Sequence, residues 1–512
     1  MLTRSLHGDD TLQWSEPIAQ FCEAEQNSGA TRELTLHALR ILLVNTADLG
    51  GGAERSAWNL LDAYTARGHT SWMAVGTKRT DDARVALLPN ESRRSRWAKV
   101  LQEQDARLES MESQIRGVSR LRSLLRFIGE PRRWTDLERG YEDFHFPGTW
   151  QLLELFGVPD IVHCFNLHGS YFDLRALASL SRRLPVIVDL RDAWLLSGHC
   201  AHSFDCERWK TGCGGCPDLT IYPAIRRDAT AQNWSRKEKI YRRSRLHVVT
   251  PSKWLMGKIS ESMLAPALVT SHVIPTGVDL SVFRPMEKLQ AKAALGLNPE
   301  ATMLLFVGNK VRRNIWKDHA TMHAAVLAAA RNSQKKHITF VGLGEAAATE
   351  WVGNVELRSL PYQRDEEIVA RYYQAADIYL HAARADTFPR AVIEALACGT
   401  PVVGTAVGGI PEQINGLKYF NSGMGSELGE YTPDDATGAL VMAGDVVGMA
   451  AAIEKLLDND ALRLRLGYNA HEDACRRFSL QRQVESYLTL YERLISAHRR
   501  QIDRSSPGTV AN

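Results

Sequence analysis

The sequence predicts an α/β fold built from two doubly wound, Rossmann-like domains, and three observations lead there. The chain is 512 residues long, more than one hydrophobic core normally organises. Short, continuous apolar runs alternate with helix-length stretches, the pattern of strands buried on both faces of a parallel sheet. The alternation comes in two series, separated by the turn-rich, two-proline stretch "HVIPTGVDLSVFRPMEKL" (272–289).

The first series reads "ILLVN" (41–45), "IVHCF" (161–165), "PVIVDL" (185–190) and "HVVT" (247–250). The second reads "MLLFVG" (303–308), "HITFVG" (337–342), "ADIYLH" (376–381), "PVVGT" (401–405) and "GALVM" (438–442). Strands alternating with helices give βαβ units. The expected organisation is a polar arm at 1–37, a first domain at 38–275, a linker at 276–289 and a second domain at 290–475. A C-terminal helix at 476–502 and a tail at 503–512 follow. Two segments interrupt the rhythm: a long polar insert at 78–150 and a surface loop at 415–435.

Composition narrows the function. Hydrophobic content of 44% and charged content of 24% are ordinary for a globular protein. A net charge of +3 over this length argues against nucleic acid as a partner. No run approaches the roughly 20 apolar residues of a membrane span. The first residues lack an apolar signal core, so the expected location is the cytoplasm. There, the eight cysteines read as thiols or metal ligands rather than disulfides. Inside the insert, residues 115–134 place Leu121, Leu124, Leu125 and Ile128 at helical spacing among Arg116, Arg120, Arg122, Arg126, Arg132 and Arg133. Such a helix either packs its apolar side on the domain or lies on an anionic membrane surface.

Four segments carry chemistry. After the first strand, Gly50, Gly51 and Gly52 precede a helix, and a helix N-terminus after a glycine turn suits a phosphate. The loop after "MLLFVG" holds Lys310, Arg312, Arg313 and Lys317, cations placed to neutralise a diphosphate and stabilise a leaving group. In "ADTFPRAVIEALACGTPVVGTAVGGIPE" (385–412), Pro389 suits the first turn of a helix. The N–H groups of Arg390, Ala391 and Val392 are then free for a phosphate. Asp386 either caps that helix or meets a ligand. Glu394, beside a small-residue face, needs a partner. Gly408 and Gly409 form a second ligand-side turn. Finally, Cys200, Cys206, Cys213 and Cys216 crowd one segment, with "CGGC" spaced like a zinc knuckle. A closed structural zinc site is the expectation; no pattern implies a catalytic metal.

Taken together, these motifs resemble the retaining glycosyltransferases of family 4, which have the GT-B fold: two Rossmann-like domains facing a cleft. The family usually has Glu, seven residues, Glu, then "ALACGTPVV" and "GGIPE"; this chain has Asp386 in the first position. The resemblance implies a nucleotide-diphosphate sugar as donor substrate. Asp386 would touch its sugar, Glu394 its ribose, and Gly51, Gly52 and Gly409 the ligand side. Lys317 would hold the diphosphate with a second cation, Arg312 first and Lys310 or Arg313 as alternatives. The stretch from "DIVHCFNLHGSYF" to "CGGCPDL" resembles a bacterial subgroup associated with polysaccharide synthesis. There Arg191 stands where a histidine is usual, and His168 is a second candidate near the reacting sugar. The implied activity is transfer to a glycan or lipid-linked saccharide acceptor, with peripheral contact at the inner membrane face. The rival readings are a GT-B nucleotide-sugar epimerase, a non-catalytic glycan-assembly partner and, least favoured, a nicotinamide dehydrogenase.

Overall fold

A computed structural model of the chain describes residues 38–109, 118–310, 312, 314–417 and 431–505. The arm at 1–37, Arg116, Arg313, most of the 415–435 loop and the end of the tail lie outside the described residues. The chain divides into two compact units, residues 38–276 with 481–505, and residues 277–480.

The strands are β1 (Arg40–Ala47), β2 (Thr70–Thr77), β3 (Val85–Leu87), β4 (Ile161–Cys164), β5 (Val186–Asp189), β6 (Leu246–Thr250), β7 (Leu268–Val273), β8 (Thr302–Val307), β9 (Ile338–Leu343), β10 (Ala347–Val352), β11 (Val355–Leu360), β12 (Ile378–His381), β13 (Val402–Thr405) and β14 (Gly438–Val441). The α-helices are α1 (Gly52–Ala66), α2 (Arg96–Glu109), α3 (Val118–Gly129), α4 (Pro131–Glu138), α5 (Ala176–Arg183), α6 (Thr230–Tyr241), α7 (Lys253–Ser260), α8 (Lys288–Ala294), α9 (His319–Asn332), α10 (Glu366–Ala375), α11 (Arg390–Ala397), α12 (Val446–Asp458), α13 (Asp460–Phe478) and α14 (Leu480–Ser505).

The first unit holds a parallel sheet of order β3-β2-β1-β4-β5-β6-β7. The second holds a sheet of order β10-β11-β9-β8-β12-β13-β14, parallel except where β10 meets β11. Every apolar run named above forms a strand. In the second unit, Met303 and Leu305 join one core cluster while Leu304 and Phe306 join another. One strand thus feeds both faces of its sheet, which explains why its sequence shows no alternation.

Sequence reading missed strands whose pattern is weaker. β7 alternates half-buried and exposed residues at a sheet edge, and β10 is almost wholly exposed. β10 replaces the helix that usually crosses between parallel neighbours, here β9 and β11. Two boundaries also differ. Val278, in the expected linker, already belongs to the second unit: its N–H donates to the Phe478 carbonyl at 2.8 Å and its carbonyl accepts from Leu480 at 2.9 Å. The terminal helix does not simply close the second domain. Helix α14 belongs to the first unit from residue 481 and runs to Ser505.

Tyrosines attach α14 there. The Tyr487 hydroxyl donates to Asp189 Oδ2 at 2.7 Å, and the Tyr491 hydroxyl meets His163 Nδ1 at 2.7 Å and the Tyr64 hydroxyl at 2.9 Å. Arg191 completes this buried network, pairing with Asp189 Oδ2 at 2.6 Å and donating to Thr276 Oγ1.

Candidate active site

In the second unit two loops are zipped together at the backbone. Arg384 N–H donates to the Trp316 carbonyl at 2.9 Å and Asp318 N–H to the Ala382 carbonyl at 3.0 Å. This brings Lys317, after β8, against Asp386, after β12. The Lys317 ammonium lies 2.6 Å from Asp386 Oδ2 and donates to His381 Nε2 at 2.9 Å. Both side chains keep some exposure, 12% for Lys317 and 19% for Asp386.

His381 itself is buried. Burial and the neighbouring ammonium push its pKa down to about 4. A neutral ring that accepts at Nε2 carries its proton on Nδ1, which faces the Tyr379 hydroxyl at 3.0 Å. Burial alone would raise the Asp386 pKa; Lys317 and His381 outweigh it and hold the carboxyl well below the usual range.

The network continues to the second carboxylate. The Tyr379 and Tyr373 rings meet edge-on, centroids 5.3 Å apart. The Tyr373 hydroxyl donates to Glu394 Oε2 at 3.1 Å, and Arg390 Nε donates to Glu394 Oε1 at 3.1 Å. Asp386 and Glu394 therefore stand at two ends of one chain of contacts. Asp386 is not a helix cap. Pro389 takes the N-cap position, one residue earlier than expected, and Arg390 is the first helical residue. The Val392 N–H is not free either, because it donates to the Pro389 carbonyl at 3.2 Å. Ala391 remains in the first turn, where intrahelical acceptors are lacking.

Gly408 lies directly beneath Asp386. Its φ is +58°, and a Cβ there would fall 1.7 Å from the Asp386 carbonyl oxygen. The Gly409 N–H donates to that same carbonyl at 3.4 Å, so it supports the loop rather than facing a ligand. Asp318, next to Lys317, caps α9, accepting from Thr321 N–H at 3.2 Å and Thr321 Oγ1 at 2.8 Å. Arg312 does not join the Lys317 cluster. Its N–H donates to Glu345 Oε2 at 3.0 Å and its guanidinium to Ser359 Oγ at 3.3 Å. It lines a separate cavity of about 240 Å³ with His319, His323 and Phe340.

In the first unit, Gly51 precedes α1 and Gly52 opens it. The Gly51 N–H is bonded to Glu54 Oε2 at 2.9 Å, so a carboxylate of the chain occupies the amide expected to meet a phosphate. His168 Nε2 lies 2.7 Å from Asp192 Oδ2, and its Nδ1 lies 3.3 Å from the Tyr222 hydroxyl. Burial draws the His168 pKa down, but Asp192 outweighs it and the net shift is upward. Arg191 faces Asp189 instead. Its fork holds a buried carboxylate, so it is removed from the candidate sugar contacts.

Cys200, Cys206, Cys213 and Cys216 lie near enough to influence one another electrostatically. Among the described residues no group of three or more His, Cys, Asp or Glu side chains is arranged to hold a metal ion. Cys213 accepts from the Gly198 N–H at 3.3 Å, Cys216 Sγ lies 3.3 Å from His199 Nε2, and Cys206 accepts from Arg208 at 3.8 Å. Cys200 is also a free thiol, its pKa raised by burial.

Sequence reading missed His381, Tyr379, Tyr373 and the Arg390 side chain, having named only the Arg390 N–H. One signal was available: Tyr379 and His381 share a face at the C-terminal end of a central strand, where open α/β sheets bind ligands.

Solved structures share this architecture. Sucrose-phosphate synthase from Thermosynechococcus elongatus superposes with a TM-score of 0.54 at 16% identity, covering 89% of this chain and 99% of its own. HepE from Anabaena, solved with UDP, gives 0.51 at 14% identity, covering 89% and 100%. The chain has the GT-B fold. Residues 301–459 match the family model described as glycosyl transferases group 1. The D-inositol 3-phosphate glycosyltransferase of Mycobacterium sp. (strain KMS) is 31% identical over 254 residues, 47% of this chain and 53% of that protein. D-inositol 3-phosphate glycosyltransferase 1 of Catenulispora acidiphila is 31% identical over 242 residues, 44% and 53% respectively. The chain thus spans about half the length of the curated relatives it resembles.

Proposed function

We propose that this protein is a retaining glycosyltransferase that moves a sugar from a nucleotide-diphosphate donor to a glycan or lipid-linked saccharide acceptor in polysaccharide synthesis. The observation that carries the reading is the partly exposed Lys317–Asp386 pair, tied through His381, Tyr379 and Tyr373 to Glu394. It lies inside the segment that matches the group 1 family model. The names of the curated relatives support glycosyl transfer, and the UDP and UDP-glucose bound to HepE support a nucleotide-sugar donor.

In this reading the resting Lys317 charge is neutralised by Asp386. An arriving diphosphate competes for the ammonium, which frees the carboxylate to accept hydrogen bonds from sugar hydroxyls. Lys317 then stabilises the negative charge that grows on the leaving diphosphate. The neutral His381 receives one Lys317 N–H and so fixes the direction of that side chain. Glu394, oriented by Tyr373 and Arg390, accepts from the ribose hydroxyls. No protein nucleophile is required: a leaving phosphate oxygen takes the acceptor's proton on the same face of the sugar, which retains configuration.

The test is a screen of nucleotide sugars for hydrolysis without acceptor and for transfer with oligosaccharides, repeated on Asp386→Ala and Lys317→Ala. Turnover by the wild type and its loss in both variants is expected. Failure of every nucleotide sugar to bind or react overturns the reading, and conversion of a donor sugar to its epimer favours the epimerase instead.

A further inference from the structure

Helices α2, α3 and α4 lie between β3 and β4 in the chain and meet around a hollow. Its volume is about 310 Å³. That reaches the low end of the roughly 300–1,000 Å³ range of small-molecule sites. Ala98 and Leu101 of α2, Leu125 of α3, and Trp134 and Leu137 of α4 give it an apolar lining. Ala98 is buried, but the larger side chains are only half-buried, because part of each faces the hollow.

The charges around it are already matched. Asp105 lies 2.8 Å from Arg126 Nε through Oδ2 and 2.9 Å from Arg122 Nε through Oδ1. Arg133 spans Glu130 at 2.9 Å and Asp143 at 2.7 Å. Arg126 also lies over the Trp134 ring, 5.7 Å from its centroid. A charged ligand would have to break one of these pairs or enter without a counter-charge, and either is unfavourable away from bulk water. The open hydrogen-bonding groups are neutral. Among the described residues, the Gln102 and Ser170 side chains, which also line the hollow, and the Trp134 indole N–H have no hydrogen-bond partner. Ser170 belongs to the loop after β4, two residues from His168, and its φ is +61°. Serine adopts that left-handed backbone only where its surroundings impose it, and here the strained residue is part of the wall.

We infer that this hollow binds an uncharged amphiphile. Its apolar body lies on Leu101, Leu125, Trp134 and Leu137, and its hydroxyl groups meet Gln102 and Ser170. The binding claim stands apart from the transfer reaction proposed above. Only the further question, whether such a molecule is the acceptor or a separate ligand, rests on that reading, since His168 beside Ser170 is the residue implied near the reacting sugar.

The experiment is isothermal titration calorimetry of the full chain with octyl glucoside below its micelle-forming concentration, with methyl glucoside and octanoate for comparison. Octyl glucoside should bind saturably with a negative heat-capacity change, the mark of buried apolar surface. Methyl glucoside should bind about a hundredfold more weakly or worse, since each methylene taken from an apolar site is worth about fourfold. Octanoate should bind about tenfold more weakly or worse, for want of a free counter-charge. Leu125→Trp and Gln102→Phe, which put bulk into the hollow, should each weaken octyl glucoside about tenfold or more. Leu124→Gln, at a 52%-exposed site of the same helix, should leave it unchanged. Thermal melts matched to wild type show that the variants fold; should Leu125→Trp fail that check, Gln102→Phe carries the comparison. With an active donor, sugar transfer to octyl glucoside and not to methyl glucoside supports the hollow as part of the acceptor site, and saturable binding without transfer supports it as a separate site. Absence of saturable binding, equal affinity for methyl glucoside or octanoate, equal loss in Leu124→Gln, or no loss in a folded filling variant overturns the inference.

Discussion

Asp386 and Asp189 have nearly the same company and different work. Each is a carboxylate with a cation at 2.6 Å, Lys317 for one and Arg191 for the other. Each has a histidine just beyond, His381 at 3.6 Å and His163 at 3.5 Å. In each case charged neighbours outweigh burial and hold the pKa below the ordinary carboxylate range. What separates them is access. Asp189 has no exposed side-chain surface and is closed over by Tyr487, whereas Asp386 keeps 19%. A carboxylate, a cation and an imidazole make a staple when sealed and a candidate binding site when left ajar.

The largest expected effect tests the sealed half. Asp189→Ala leaves Arg191 buried without its counter-charge and should cost about 3–5 kcal/mol in urea unfolding, with α14 loosened. If it cost no more than Asp386→Ala, the distinction would collapse. Next comes the open half. Lys317→Ala should lower kcat for sugar transfer about 10²–10³-fold, or about 2.7–4 kcal/mol of transition-state stabilisation, with unfolding little changed. A stability loss matching that of Asp189→Ala would make Lys317 structural.

A pH series sharpens the role of His381. Its pKa is about 4 in the fold against 6.5 for the free side chain. The unfolded chain therefore takes up the proton first as pH falls. The stabilisation is complete above 6.5 and is lost on the way down to about 4. Relative to His381→Asn, wild type should lose about 3 kcal/mol across that window. Parallel curves would show that His381 does not titrate as the geometry implies. The smallest effect is Asp318→Ala, the loss of one helix cap, at about 1 kcal/mol. A large drop in activity with that variant would reveal a ligand role that capping does not explain.

The sheets were legible because buried parallel strands write themselves as unbroken apolar runs such as "MLLFVG". The Asp386 and Glu394 pair was legible through its spacing around Pro389. The connecting residues were not. Lys317 and His381 are 64 positions apart, and nothing local in "ADIYLH" announces which distant cation its histidine will meet. Arg191 drew notice for a related reason: it stands where the resemblance has a histidine, but its partner is the buried carboxylate two residues earlier. The exposure of Leu121, Leu124 and Ile128 on α3 was hidden too, since periodicity shows that leucines share a side and not which way that side turns.

Gly408 has a consequence for how this site can change. A change of the Asp386 side chain removes one ion pair, with Lys317 at 2.6 Å, from a group that keeps 19% exposure. The residue below it has less freedom: any Cβ at 408 strikes the Asp386 carbonyl. A saturation library selected for folded protein should therefore return several residues at 386 and almost only glycine at 408. The candidate site can exchange its carboxylate at the loss of one ion pair, and the silent position beside it is the one that heredity must keep.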